Sequence, residues 1–211
     1  MAKTEPFERH HRQYDAWFAR HEAVYLSELL AVRALLPFQG QGLSIGVGTG
    51  RFAAPLGVRF GLDPAGSMLA YALERGIGCV CGVGESMPFK NAVFDYALIV
   101  TTLCFFDDAG IALQEARRVL KPGGCLVTGF VDKDSRLGRQ YADRRSDSLF
   151  YREARFFGVG EVESLLNDAG FGKFEWGQTV CTDLKDLQAV EPVRDGTGSG
   201  SFVVVKALKT L

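Results

Sequence analysis

Between residues 7 and 36 the positions Tyr14, Trp17, Phe18, His21, Tyr25, Leu29, Val32 and Leu36 recur every three or four residues, the period of an amphipathic helix. Pro37, which has no N–H to continue the ladder, ends it. Short apolar runs then alternate with helical patterns. Residues 43–47 and 58–62 read as strands, 67–75 as a helix closed by Gly76, and 78–83 as a third strand. The run 96–100 is too short for a helix and leads into a helical segment at 108–120, closed by Lys121-Pro122-Gly123-Gly124. A strand at 125–131, a helix at 160–169 closed by Gly170, and strands at 174–180 and 202–206 complete the series. Near-continuous apolar strands separated by helices predict a doubly wound α/β fold, a parallel sheet with helices on both faces. No helical period joins 180 to 202, so a long loop connects the last two strands, which can then lie antiparallel. Residues 132–157 differ in character. Their seven Lys/Arg and five Asp/Glu, with Tyr141, Tyr151, Phe156 and Phe157 between, mark an insertion outside the sheet core.

Composition narrows the function classes. The 24 Lys+Arg against 25 Asp+Glu leave a formal net charge of −1, so no global field favours nucleic acid or an anionic membrane. The start of the chain is charged where a secretory signal is apolar, and no apolar run approaches the ~18 residues of a membrane span, which places the protein in the cytoplasm. Five cysteines, Cys79, Cys81, Cys104, Cys125 and Cys181, are an odd set; three or more of them fall in strands that read as buried, and reduced core thiols are the simplest reading. Glycine is in excess, 25 of 211, often beside apolar runs where backbone turns tightly or meets a ligand.

The first strand runs into Gly46-Val47-Gly48-Thr49-Gly50, a turn that lets backbone approach a ligand at the carboxyl edge of the sheet. A dinucleotide fingerprint wants Gly-x-Gly-x-x-Gly. Here Arg51 stands in the third glycine's place, which disfavours a nicotinamide cofactor. Asp63 ends the second strand, where a carboxylate can accept hydrogen bonds from both hydroxyls of a ribose, or can equally serve as a turn residue before the helix.

LSIGVGTGRF, GLDPAGSML, GVGESMPFKNAVFDYALIVTT and ARRVLKPGGCLV, in this order and spacing over residues 43–127, resemble the successive motifs of a class I S-adenosylmethionine-dependent methyltransferase of the type 11, small-molecule kind. The resemblance implies a Rossmann-like seven-stranded sheet of order 3-2-1-4-5-7-6 with the last strand antiparallel. It also implies one domain over 1–211, residues 7–36 as a lid helix and 132–157 as a substrate-side insertion. It implies S-adenosylmethionine as cofactor, S-adenosylhomocysteine as product, and no metal. Gly46, Gly48 and Gly50 would lie under the cofactor's methionine, Asp63 would hold the ribose, and Ser67 and Met68 would flank the adenine. Val83, Gly84 and Glu85 would lie at the adenine edge, and Thr101 and Thr102 would line the cofactor or the acceptor. Three positions depart from the family pattern: Ser44 and Val83 stand where acidic residues are usual, and Cys104-Phe105 replaces a His-His pair.

Methyl transfer from a sulfonium disperses charge, so holding the acceptor in line supplies ~7–11 kcal/mol by proximity, and a base is needed only for a protonated acceptor. His21, on the stripe with Tyr14 and Trp17, is the candidate base; a packed interface histidine is the competing reading. Tyr14 and Trp17 are candidates for contact with the cationic sulfonium through their ring faces. His10 and His11 read as solvated, and Asp107 and Asp108 as the start of the following helix. Cys79 and Cys81 would point to opposite faces of a strand, which does not make a metal pair. The acidic, glycine-hinged loop 181–201 favours a cationic acceptor, whereas the arginines of 132–157 favour an anionic one. The expected partner is a small-molecule acceptor of nitrogen, oxygen or sulfur type. An RNA or protein methyltransferase and a non-catalytic cofactor-binding module are the alternatives, and oligomeric state is left open.

Overall fold

The computed structural model describes residues 4–210. Two helices, α1 (Glu5–Arg20) and α2 (Glu22–Leu35), precede β1 (Gly42–Ile45) and β2 (Phe60–Asp63). Then come α3 (Gly66–Glu74), β3 (Gly78–Cys81), β4 (Phe94–Val100), α4 (Ala109–Val119), β5 (Leu120–Val131) and α5 (Arg136–Asp143). The chain finishes with α6 (Val159–Asp168), β6 (Phe171–Thr179), β7 (Arg194–Asp195) and β8 (Phe202–Lys209).

All eight strands form one sheet in the order β3-β2-β1-β4-β5-β8-β6-β7. Strands β1 to β5 pair in parallel, and β8 runs antiparallel to both β5 and β6. The expected seven-strand order holds once β7 is set aside. That extra strand is two residues of the long connection, Arg194 and Asp195, which pair with Gln178 and Gly177 on the free edge of β6. A pairing this short leaves no hydrophobic alternation for sequence to register.

Alternation along the central strands divides the core. Tyr96, Leu98 and Val100 of β4 join Val24, Ala31 and Val32 of α2 and Leu69 and Ala72 of α3 on one face. On the other, Ala97 and Ile99 meet Leu113, Ala116 and Val119 of α4 and Val162 and Leu166 of α6. Burying each large aliphatic side chain contributes ~1.5–3 kcal/mol, so these two layers dominate what holds the sheet.

Two expectations are corrected. The helix over 7–36 is two helices: at His21 the backbone leaves the helical region (φ −122°, ψ 46°), and the ring folds back onto the Trp17 indole at 4.6 Å. The break has a packing reason. A continuous helix of that length would run ~45 Å, whereas α1 packs on α3 and α2 packs on β5, β6 and β8. At the other end, Leu36 is already extended (ψ 136°), as a residue before proline must be. The cysteines are not a buried set either. Only Cys125 is buried; Cys79 is half-buried, and Cys81 and Cys181 are exposed. Cys79 and Cys81 lie on β3, the edge strand, where no second neighbour covers them.

Charged side chains fasten α1 to the sheet. Arg51 Nε donates to Asp15 Oδ1 at 2.9 Å and its Nη2 to Oδ2 at 2.6 Å, while Arg75 Nη2 reaches Oδ2 at 3.0 Å. Arg75 Nη1 also donates to the Thr49 carbonyl at 2.6 Å. Burial alone would raise the pKa of Asp15, but the Arg51 bonds and the Arg75 charge outweigh it and hold it below the usual carboxylate value. Glu8, on the same helix, accepts from the Gly66 and Ser67 N–H groups at 2.6 and 3.0 Å. It thereby supplies α3 with the cap its own flanking residue, Ala65, lacks. Among the described residues no helix is long and apolar enough to cross a membrane.

Asp15→Asn removes the charge that both arginines share. We expect a loss of ~2–3 kcal/mol from charge-assisted bonds, which at ~2–4 °C per kcal/mol lowers the melting temperature by roughly 4–12 °C. A thermal scan showing less than ~2 °C of change would mean that the two pairs are idle.

Candidate cofactor and acceptor site

The carboxyl ends of β1, β2 and β4 open into one cleft because each strand stops short and turns. After β1 the turn must pass beneath the chain leaving β4, and Gly46 (φ +69°) makes this possible: a Cβ there would overlap the Thr102 side chain. Thr102 Oγ1 instead donates to the Gly46 and Val100 carbonyls at 3.1 and 2.9 Å. Thr101 has φ +52°, an outlying conformation for a β-branched residue, and its N–H still donates to Gly129 across β5. Strain of this kind collects where a side chain must be aimed.

Below the turn lies Asp63. Its Oδ2 accepts from Gly48 N–H and its Oδ1 from Ala65 N–H, both at 2.9 Å. Burial pushes its pKa up to about 6 despite those two bonds, and the Glu8 charge adds to the rise. The cleft is open to solvent on one side and is lined by Gly46, Gly48, Asp63, Met68, Val83, Gly84, Glu85, Thr101, Thr102 and Tyr14. Thr4, Phe7, Pro64, Ala65, Phe105, Phe106 and Asp107 complete the wall. Glu85 joins its two sides by accepting from the Asp107 N–H at 2.8 Å.

The sequence model of the family described as a methyltransferase domain matches residues 43–128. A Thermotoga maritima crystal structure, described as an S-adenosylmethionine-dependent methyltransferase and possible histamine N-methyltransferase, is 46% identical. It superposes with a TM-score of 0.95, over 97% of this chain and 98% of that one. This chain belongs to the class I S-adenosylmethionine-dependent methyltransferases. An uncharacterised protein of Methanocaldococcus jannaschii is 39% identical over 96% of this chain and 98% of its own. A longer uncharacterised Mycobacterium tuberculosis protein is 43% identical over 75% of this chain, which spans 57% of that protein's length.

The methyltransferase site can be tested for fit with its cofactor. Each Asp63 oxygen accepts one N–H and keeps a lone-pair direction, so the carboxylate can still take two hydroxyl donors. At Gly48 (φ +53°) a side chain would project into the cleft between Met68 and Tyr14, whose nearest atoms lie 3.6 and 3.9 Å from an ideal Cβ. Bare backbone and an open carboxylate at the same strand ends fit an adenosyl group.

Ten of the twelve expected cofactor-side residues line this cleft. Gly50 does not: a Cβ there would face Ile77 and Ala72, so its role is to let α3 pack against the turn. Trp17 and His21 do not line it either. They stack on each other, and His21 Nδ1 is bonded to the Trp17 carbonyl at 3.0 Å, which leaves the histidine the packed interface residue of the competing reading. Ser67 gives its N–H to Glu8. Asp108 caps α4 through the Ile111 N–H at 3.0 Å, as expected, whereas Asp107 belongs to the cleft.

The acidic loop 181–201 and the arginine-bearing segment 132–157 meet in one ion pair. Arg136 pairs with Asp183 at 2.6 Å, and the Glu191 carboxylate caps the Cys181 and Thr182 N–H groups. Arg155 lies over the Phe157 ring. Among the described residues no group of three or more His, Cys, Asp or Glu is placed to hold a metal ion. The aromatic wall went unseen in the sequence because Phe7, Phe105 and the adjacent pair Phe150 and Tyr151 come from three distant parts of the chain. A second omission was detectable. Glu28 stands at i+4 from Val24 and i−4 from Val32, on the buried stripe of α2.

Gly46→Ala must both keep φ +69° and displace Thr102. We expect a loss of ~1–3 kcal/mol, part of it recovered in the double variant with Thr102→Ala. Chemical denaturation of the four proteins checks this, and strict additivity of the two changes would rule out the contact.

Proposed function

We propose that the protein transfers the methyl group of S-adenosylmethionine to a small-molecule acceptor at nitrogen, oxygen or sulfur. The observation that carries this reading is the aromatic closure of the cleft on the acceptor side. Phe7 meets Phe105 at 5.0 Å, Phe150 at 5.4 Å and Tyr14 at 5.7 Å, and Tyr151 stacks on Phe105 at 5.8 Å. Such a wall offers an apolar surface against which a compact molecule can pack. Of the arginines of residues 132–157, Arg136 is paired with Asp183 and Arg155 lies over Phe157, which withdraws these two from a phosphate backbone.

Bound cofactor would supply an electrophilic methyl on a sulfonium, and the protein's residues do the placing. Asp63 would hold the ribose, Gly48 would let the methionine portion lie against backbone, Met68 would flank the adenine, and Val83 and Gly84 would lie at its edge. Tyr14 reaches the Thr101 side chain over the turn, and burial raises its pKa, so it stays a neutral phenol. A neutral ring face beside a sulfonium attracts it without competing as an acceptor. Helix α1 roofs the cleft through Phe7 and Tyr14 and excludes water. Held in place by Asp15 and Glu8, it acts as the lid.

The test is calorimetric titration with S-adenosylmethionine, S-adenosylhomocysteine and NAD, followed by transfer of labelled methyl to a panel of small amines, hydroxylated acids and thiols. Binding of the first two without NAD, with at least one acceptor labelled, is expected. Binding with no acceptor labelled, and labelling of RNA or protein instead, would overturn the small-molecule reading.

Asp63 provides a pH signature. Its carboxylate must be ionised to accept two hydroxyls, and its value of about 6 lies above the unfolded one, so protonation on the acid side removes acceptors from the folded protein. Cofactor affinity should be flat above about pH 7 and fall roughly tenfold by pH 5. Asp63→Asn should bind at least ~tenfold more weakly at pH 7.5, from bonds worth ~1.5–3 kcal/mol each, and show no such pH slope. A slope that survives in Asp63→Asn would assign it to another group.

A further inference from the structure

Beyond the cofactor cleft lies a second, smaller cavity. Leu103, Phe130 and Val131 bound it on the sheet side, and the rings of Tyr151, Phe156 and Phe157, all from the segment 132–157, bound it on the other. Thr101 and Cys104 complete the lining, and of these residues only Thr101 also lines the cofactor cleft. Backbone holds the segment here: the Arg155 N–H donates to the Cys104 carbonyl at 2.9 Å, and the Lys133 N–H to the Phe157 carbonyl at 3.1 Å. A ring pair stands between the two spaces, Phe105 of the cleft stacked on Tyr151 of the cavity with planes 11° apart.

The place of the junction matters. Met68, Val83, Gly84 and Glu85, on the adenine side of the cleft, do not line this cavity. Thr101 does, and it follows the end of β4 beside Thr102 and Gly46, on the methionine side. Thr101 is also the strained residue, a β-branched side chain held at φ +52°. An unfilled apolar space costs packing, and strain costs more. Both occur at one point, and a bound molecule accounts for both.

The lining sets the chemistry. Among the described residues that line the cavity there is no Asp, Glu, Lys, Arg or His. Burial pushes the Tyr151 phenol well up, so it stays neutral. Arg155 lies over the Phe157 ring, and Arg136 is paired with Asp183. Ring faces attract a cation, but an ion stripped of water here meets no counter-charge, and that loss is the larger one. An uncharged apolar body gains by leaving water and packs against three rings. Thr101 Oγ1 spends its proton on the Val100 carbonyl at 2.8 Å, so toward the cavity it can only accept a hydrogen bond.

We propose that this cavity is the acceptor pocket, that it takes the uncharged, apolar body of a compact acceptor, and that Thr101 marks where the acceptor meets the cofactor. This rests on the cofactor reading of the cleft given above and adds to it the place and the chemical class of the acceptor.

The experiment is calorimetry on protein saturated with S-adenosylhomocysteine, titrated with the neutral probes p-cresol, indole and thiophenol. Benzylamine and benzoate, of similar size but charged, serve as controls. At least one neutral probe should bind tenfold or more tightly than both controls. Val131→Phe fills the cavity from β5 and should weaken that binding at least tenfold while S-adenosylhomocysteine affinity stays within twofold. Val131→Ala enlarges it and should improve 2-naphthol at least threefold relative to p-cresol. If Val131→Phe fails to fold, the Val131→Ala comparison decides. No neutral probe bound, a charged control bound as tightly, or binding untouched by the Val131 changes would make the cavity a packing defect and overturn the proposal, leaving the cofactor reading standing. Failure of S-adenosylhomocysteine itself to bind overturns both.

Discussion

The carboxyl edge of the sheet depends on one steric requirement: the backbone leaving β1 must run in contact with the backbone leaving β4. Gly46 meets it by lacking a side chain and accepting a positive φ, and Thr102 fills the space with two hydrogen bonds. Only then can the next residues turn so that the Gly48 N–H reaches Asp63 at the end of β2. Three strands that share no sequence neighbourhood are thus joined by bonds a few residues long, and the cleft is the space left above them. A bulkier turn would move Asp63 relative to Thr101, and with it both ends of whatever is bound.

Electrostatics at this edge follows a division of labour. Carboxylates that fasten elements together are held ionised: Asp15 by Arg51 and Arg75, Glu8 by the N–H groups at the start of α3. Asp63, which lines the cleft, is pushed the other way by loss of water, to about 6. The first two stabilise the roof formed by α1, whereas Asp63 costs stability that a bound ribose can return.

Much of the fold was legible along the chain. The strand and helix periods, the closing glycines and the four ordered motifs define the parallel half of the sheet, the antiparallel end and the place of Asp63. The break at His21 was not, because every residue from Tyr14 to Leu36 keeps the helical period and only packing on two different partners divides it. Strand β7 was not, because two residues carry no alternation. The cysteines misled, since an apolar-looking strand such as β3 gives no sign in its own residues that it lies at the sheet's edge.

The sequence by itself determined whatever depends on neighbours within about four positions: which segments are strands or helices, where glycine must permit a turn, and which acid ends β2. Tertiary structure alone decided the pairing of charges and the making of enclosures. Arg136 and Asp183 are neutralised by each other, Arg51 answers Asp15, and Phe7, Phe105, Phe150 and Tyr151 close one wall. Glu28 is left without a partner for the same reason. An unpaired acid is a statement about every segment that could have reached it, and a local pattern holds no information about distances between residues tens of positions apart.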